Sequence, residues 1–259
     1  MIAEIRFRGK LIKFDLQRHS DYSAFYQVLV ENSYSHLLDG IRPGDIVLDA
    51  GANIGIFTVL ASILVGDRGK VVSIEPDPEN LKILKRNITI NGLMNVKVVE
   101  RALYNCSDME IELTINGVMS KIKTSETSSH FRYVRVKTIA FDDLVNQLEI
   151  TPSILKMDIE GAERYALQNA DKTLEGLREI EAEIHDSICE QAIMQFPGFD
   201  FSITSIENFR AISRFFLKHP IKTVRLEWYN HFETFKRILH HGIKLSSSYP
   251  LMIYGKHKV

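Results

Sequence analysis

Asp45-Ile46-Val47-Leu48-Asp49-Ala50-Gly51-Ala52-Asn53-Ile54-Gly55 reads as an apolar strand that runs into a glycine turn and then a helix. Gly51 lets the backbone turn where a side chain would collide, and lets it approach a ligand closely. The helix beginning near Ile54 presents its unpaired N–H groups and positive dipole end to the same place. Further along, Val71-Val72-Ser73-Ile74-Glu75 is a second apolar strand, and it also ends in an acid. Open parallel sheets bind ligands beyond the carboxyl ends of their strands. A carboxylate at Glu75 accepts charge-assisted hydrogen bonds from both hydroxyls of a ribose there. The two strand ends therefore predict a site for a ribose-bearing cofactor.

The 259-residue chain accommodates one large domain with an elaboration. Its 45% hydrophobic and 25% charged content are those of a soluble globule, and a net charge of −1 gives no overall pull towards nucleic acid or a membrane surface. The longest apolar run, Ile54 to Val65, is well short of the roughly 20 residues a membrane span needs. It reads as a helix buried on all sides. The N-terminus lacks a signal-peptide core, and Cys106 and Cys189 have neither CxxC nor metal-ligand spacing, so a reducing cytoplasm is the expected location. Charge is unevenly spread. From Phe196 onward there are ten Lys and Arg against four Asp and Glu, together with 12 of the 24 aromatics, which marks a region with a separate task.

Residues 4–16 alternate as a β-hairpin around Gly9-Lys10, and 21–39 suggest helices that cap the N-terminus. The beat of strand and helix that follows signals a parallel sheet. Asp77-Pro78 opens a helix that closes at Asn91-Gly92. Val96–Val99 is a strand, 110–115 one arm of a hairpin, 117–132 a mobile loop, and Tyr133–Ile139 a returning strand. Phe141 starts a short helix. Ser153–Asp158 is a fourth core strand ending in an acid, with Glu160-Gly161-Ala162-Glu163 opening its helix. Ile180–Ile184 is a fifth, with His185-Asp186 at its end. Asn230-His231-Phe232-Glu233 begins a helix that Gly242 ends, and 243–246 and 251–254 form two closing strands. The glycines lie as Gly51-x-x-x-Gly55, which weakens a dinucleotide-dehydrogenase reading.

Asp49-Ala50-Gly51-Ala52-Asn53-Ile54-Gly55, Glu75-Pro76, the Asn87…Asn91 pair, Ala102-Leu103 and Leu155-Lys156-Met157-Asp158-Ile159-Glu160-Gly161-Ala162-Glu163 resemble the FkbM family. These are class I methyltransferases that depend on S-adenosylmethionine (SAM) and act on hydroxyls of sugars and other small metabolites. The resemblance covers about residues 41–185 and, more weakly, the closing strands. Where the general class I motif favours glycine, this chain has Asn53, as family members commonly do. The implied fold is Rossmann-like α/β: a mostly parallel seven-stranded sheet with a C-terminal antiparallel strand and helices on both faces. Residues 1–40 form a hairpin and helical cap. Residues 41–259 form the methyltransferase domain, with a basic, aromatic insertion at about 196–230.

By this resemblance Asp49, Gly51, Ala52 and Asn53 line the methionine end of SAM. Glu75, with Pro76 beside it, holds the ribose, and Arg101 and Ala102 border the adenine. Asp158 faces the transferring methyl. Asp158, Glu160 and His185 are the candidate catalytic residues, with His185 as general base because its unperturbed pKa lies near working pH. Glu163 reads as favourable charge in a first helical turn. No metal is assigned: Asp158, Glu160 and His185 offer hard oxygen and nitrogen donors, but their spacing does not demand an ion. The expected partner is a small-molecule acceptor, with no membrane and the oligomeric state left open, a homodimer included. The alternatives are RNA methylation, which the basic segment and the Asn87…Asn91 pair suggest, an NAD-binding oxidoreductase, and a non-catalytic SAM-binding protein. Met157-Asp158-Ile159-Glu160 is not the Asn-Pro-Pro-Tyr kind of sequence that suits exocyclic base nitrogens.

Overall fold

A computed structural model describes residues 1–31, 33–115, 121–122, 132–185, 190, 193–194, 199–203 and 251–257. Strands β1 (Ile2–Phe7) and β2 (Lys10–Asp15) pair antiparallel. Arg8 and Gly9 join them with φ of 49° and 80°, the positive values a tight two-residue hairpin turn demands. Helices α1 (His19–Leu29) and α2 (Ser35–Gly40) follow.

The core then alternates: β3 (Ile46–Ala50), α3 (Ile56–Val65), β4 (Lys70–Ile74), α4 (Pro78–Ile90) and β5 (Val96–Val99). Eight of the ten residues of α3 are buried, as its unbroken apolar sequence predicts. The N-cap of α4 is Asp77, whose side chain accepts a 2.8 Å bond from Glu79 N, with Pro78 following. Four strands form a side sheet: β6 (Ala102–Leu103), β7 (Glu110–Ile115), β8 (Lys121–Ile122) and β9 (Arg132–Ile139). The arm at 110–115 thus belongs to more than a hairpin, and part of the stretch read as a loop is strand; 116–120 and 123–131 lie outside the described residues. After α5 (Phe141–Leu148) come β10 (Ile154–Met157), α6 (Glu163–Ala166), α7 (Asp171–Glu175), β11 (Glu179–Ile184), β12 (Phe199–Ile203) and β13 (Leu251–His257).

The main sheet runs β12-β13-β11-β10-β3-β4-β5. The strands from β11 to β5 pair in parallel, while β13 lies antiparallel to both its neighbours and is the one reversed strand. Apolar clusters cover both faces. One joins the N-terminal cap to α3, and the other joins the main sheet to α5, α6 and α7. This is the class I methyltransferase architecture expected from the sequence. The order reverses direction between β3 and β10, the crevice where such sheets take their ligand.

Two details differ from expectation. The segment read as an insertion contributes the edge strand β12, because Phe199 and its neighbours pair with β13 from Phe199↔His257 to Ile203↔Ile253. The rest of it, the helix expected at 230–242 and the strand at 243–246 lie outside the described residues. The helix after β10 begins at Glu163. Glu160 and Gly161 precede it with φ of 57° and 94°, a left-handed turn that cannot continue into a helix.

Candidate active site

Gly51 leaves β3 with φ 76°, and a Cβ there would collide with the Asp158 carbonyl oxygen. The β3–α3 turn thus packs backbone against backbone on the end of β10. The N–H groups of Gly51 and Ala52 both donate to Ile74 O at 3.0 Å, which holds the turn on β4. Asn53 is left-handed at φ 51°, a conformation glycine enters freely and asparagine tolerates better than other side chains. That explains why asparagine stands where the general motif has glycine. Its N–H donates to Glu75 Oε2 at 2.7 Å.

Glu75 is buried at the end of β4. Its Oε1 accepts from Asp77 N at 2.9 Å and Asn80 Nδ2 at 3.4 Å. Burial raises its carboxyl to about 7, despite these hydrogen bonds, which favour the charged form. Each carboxylate oxygen has two lone-pair sites, so Oε2, which accepts from Asn53 N alone, keeps one for a ribose hydroxyl. Glu75 opens on a cleft lined also by Gly51, Asn53, Pro76, Arg101, Ala102, Asp158 and Glu160.

Asp49 and Ala52 do not line it. Asp49 lies beneath the turn, fully buried, where its Oδ2 accepts from Thr58 Oγ1 at 2.5 Å and its Oδ1 lies 3.5 Å from Lys156 Nζ. Lys156 Nζ in turn donates to Gly51 O at 2.6 Å. Asp49, expected to meet the cofactor, supports the turn from below. Arg101 reaches the cavity rim and pairs with Asp108 at 2.9 Å.

At the ends of β10 and β11 the three candidate catalytic residues converge. His185 Nε2 is 3.4 Å from Glu160 Oε2 and 4.0 Å from Asp158 Oδ1, while Nδ1 lies 2.9 Å from Glu163 Oε1. Glu163 is wholly buried and also accepts from Ile159 N and Gly161 N, so it fixes the turn that carries Glu160. Burial opposes a charge on His185, but the bond and charge of Glu163, with Asp158 and Glu160, outweigh it and raise the pKa to about 9. The surrounding carboxylates thus favour the protonated ring in the absence of another cation. Burial also pushes Glu163 upward, but its bond to His185 lowers it overall. Burial and the nearby Asp158 charge push Glu183 up to about 8. Asp158 Oδ2 accepts a 3.0 Å hydrogen bond from the Tyr34 hydroxyl. Tyr34, Lys156, Glu163 and Glu183 were not singled out from the sequence as site residues. A lysine inside an apolar strand is itself a signal, since a buried charge requires partners.

Residues 49–218 match the family described as the methyltransferase FkbM domain. The chain belongs to the FkbM methyltransferase family. As in this SAM-dependent family generally, its cofactor is SAM, and the cradle of Gly51, Asn53 and Glu75 fits that group. The hexuronic acid methyltransferase AglP of Haloferax volcanii is 25% identical over 190 residues, covering 73% of this chain and 75% of that protein. Protein-L-isoaspartate O-methyltransferase 1 of Archaeoglobus fulgidus is 43% identical over 63 residues, 24% of this chain and 29% of that one. A probable cobalt-precorrin-6B C(15)-methyltransferase of Sulfolobus acidocaldarius is 36% identical over 53 residues, covering 20% and 28%. The chain thus spans less than a third of the length of the last two. The crystal structure of methyltransferase FkbM from Methylobacillus flagellatus KT is 17% identical, covers 73% of this chain and 52% of that chain, and superposes with a TM-score of 0.45. Among the described residues no helix is long and apolar enough to cross a membrane.

Proposed function

We propose that this FkbM-family protein transfers the methyl group of SAM to a hydroxyl of a small, sugar-like acceptor. The observation that carries the reading is a single cavity shared by Glu75, at the end of β4, and by Asp158 and Glu160, beyond β10. One acid thus serves the cofactor's ribose while two others face the remaining space. Gly51 and Asn53 bound the cofactor along the β3–α3 turn, and Arg101 and Ala102 border its base. SAM supplies an electrophilic methyl when bound. The chain's own residues then align an acceptor oxygen with it, and such alignment is a large source of acceleration. Asp158 and Glu160 orient the acceptor hydroxyl as hydrogen-bond acceptors, and His185 holds both carboxylates in place.

One relative, covered over 75% of its length, is a hexuronic acid methyltransferase, which makes hexuronic acids and their glycosides the first acceptors to try. An RNA acceptor is disfavoured, since the carboxylates of Asp158 and Glu160 line the acceptor side of the cavity, where they would repel phosphates. The test pairs calorimetric titration of SAM with transfer of labelled methyl to a panel of hexuronic acids, neutral sugars and structured RNA. SAM binding that Glu75→Ala abolishes, with label in a sugar hydroxyl, is the expected result. Label in RNA alone would transfer the reading to the nucleic-acid alternative, and NAD binding in place of SAM would end it.

A further inference from the structure

We propose that Asp158, Glu160 and His185 form a binding site for a hard divalent cation, Mg2+ or Mn2+, at the carboxyl ends of β10 and β11. One ligand atom from each lies within 4.8 Å of the other two. The closest pair, His185 Nε2 and Glu160 Oε2, is 3.4 Å apart, and Nε2 to Asp158 Oδ1 is 4.0 Å. For ligands at about 2.1 Å from an octahedral ion, adjacent donors sit roughly 3 Å apart. The two edges at Nε2, 3.4 and 4.0 Å, are wider than that, so the three side chains would draw together around an ion. Two carboxylate oxygens with one imidazole nitrogen make a mostly hard donor set, which suits Mn2+ or Mg2+.

An independent observation comes from outside the trio. Glu163, fully buried on α6, engages Nδ1 at 2.9 Å and so turns Nε2 toward the two carboxylates. A carboxylate behind the far ring nitrogen is the usual outer partner of a metal-binding histidine, where it fixes both tautomer and orientation. A second outer contact arrives from the N-terminal cap, where the Tyr34 hydroxyl holds Asp158 Oδ2 and leaves Oδ1 facing His185. Asp158, Glu160 and Glu163 place three carboxylates around one imidazole, and Lys156, 4.0 Å from Asp158 Oδ2, is shared with Asp49 and Gly51 O.

Asp158 and Glu160 also line the cofactor cavity, so the open coordination positions face the acceptor. The catalytic meaning of the site rests on the methyl-transfer reading; the binding of the ion does not. A bound hydroxyl is acidified by the cation acting as a Lewis acid. Its oxygen supplies the electron pair of the new O–CH3 bond, the pair of the broken S–CH3 bond stays on sulfur, and the hydroxyl proton passes to water.

The test is titration of the full chain with Mn2+, following free ion by electron paramagnetic resonance. Circular dichroism and calorimetry with S-adenosylhomocysteine are run on the same samples. One Mn2+ per chain, saturating below millimolar concentration, is expected. Glu160→Gln and His185→Ala should lose it, and Glu163→Gln should weaken it about 10- to 100-fold. Glu110→Gln, an acid on β7 away from the site, should bind as the wild type does. If His185→Ala does not fold, the isosteric Glu160→Gln carries the test. Absence of saturable binding, or full-strength binding in Glu160→Gln, overturns the proposal. Ion binding without S-adenosylhomocysteine binding leaves the cation site standing and removes the methyltransferase reading alone.

Discussion

The Tyr34 hydroxyl donates a 3.0 Å hydrogen bond to Oδ2 of Asp158, a residue 124 positions away in sequence. Tyr34 precedes the family-matched segment 49–218, so the N-terminal cap reaches into the site from outside the shared domain. Its ring is 2% exposed and meets Phe57 edge-on at 5.6 Å. Tyr34→Phe therefore keeps the packing and deletes one bond. A hydrogen bond to a charged group contributes about 1.5–3 kcal/mol, and the variant should lose stability of that order in urea denaturation. Methyl transfer should fall at least tenfold while SAM affinity stays within a factor of two or three, since the freed Asp158 carboxylate no longer holds one orientation. Unchanged turnover would leave Tyr34 a purely structural residue.

Glu75 sets function against stability. Its carboxyl is raised from 4.5 to about 7, so the folded chain binds this proton more tightly than the unfolded chain does. The sign follows: the destabilisation is absent below about pH 4.5, develops as pH rises, and is complete above 7. The full difference corresponds to about 3 kcal/mol at roughly 1.4 kcal/mol per unit. Glu75→Gln should therefore be more stable than wild type at pH 8 and gain nothing at pH 4, as denaturation at the two values will show. The same variant should bind SAM at least tenfold more weakly. Wild-type affinity for SAM should itself decline as pH drops below 7, because the ionised carboxylate is the stronger acceptor for a ribose hydroxyl. Equal affinity at pH 5.5 and pH 8 would separate Glu75 from the ribose.

The parts of this protein that could be read from sequence are those written in local chemistry. The glycine turn at Gly51, the Asp77-Pro78 cap and the acids ending β4 and β10 each lie within a few residues of what they act on, and the period of apolar residues set the sheet. Long-range polar contacts were illegible. Asn87 and Asn91 read as part of a family pattern, and suggested RNA. In the fold they tie α4 to the hairpin, with Asp15 N donating to Asn87 Oδ1 at 2.7 Å and Lys13 N to Asn91 Oδ1 at 2.9 Å. Asn87 Nδ2 also donates to Ile54 O at 2.8 Å, bracing the cofactor turn. Glu163 passed for an ordinary first-turn acid because the left-handed step at Glu160 and Gly161, which swings it under His185, leaves only a glycine as its trace. Strand β12 escaped notice since a five-residue edge strand beside a basic, aromatic stretch has no period of its own.

Lys156 and Asp49 provide the sharpest energetic test. Lys156 Nζ lies 3.5 Å from Asp49 Oδ1, with side-chain exposures of 5% and 0%, and donates to Gly51 O at 2.6 Å. Removing one member of a buried pair strands the other charge in a medium that solvates it poorly, at a cost of about 3–5 kcal/mol. Lys156→Met should lose that much and also free the Gly51 carbonyl, loosening the turn that bounds the cofactor. Adding Asp49→Asn removes the stranded carboxylate. The double variant should recover most of the loss, because the amide oxygen that replaces the carboxylate still accepts from Thr58. Cofactor affinity should recover less than stability does, since nothing in the double variant replaces the donor to Gly51 O. Equilibrium denaturation of the wild type, both single variants and the double variant closes the cycle. A coupling within about 0.5 kcal/mol of zero would mean that the two residues contribute independently. Lys156 would then act through the Gly51 carbonyl alone.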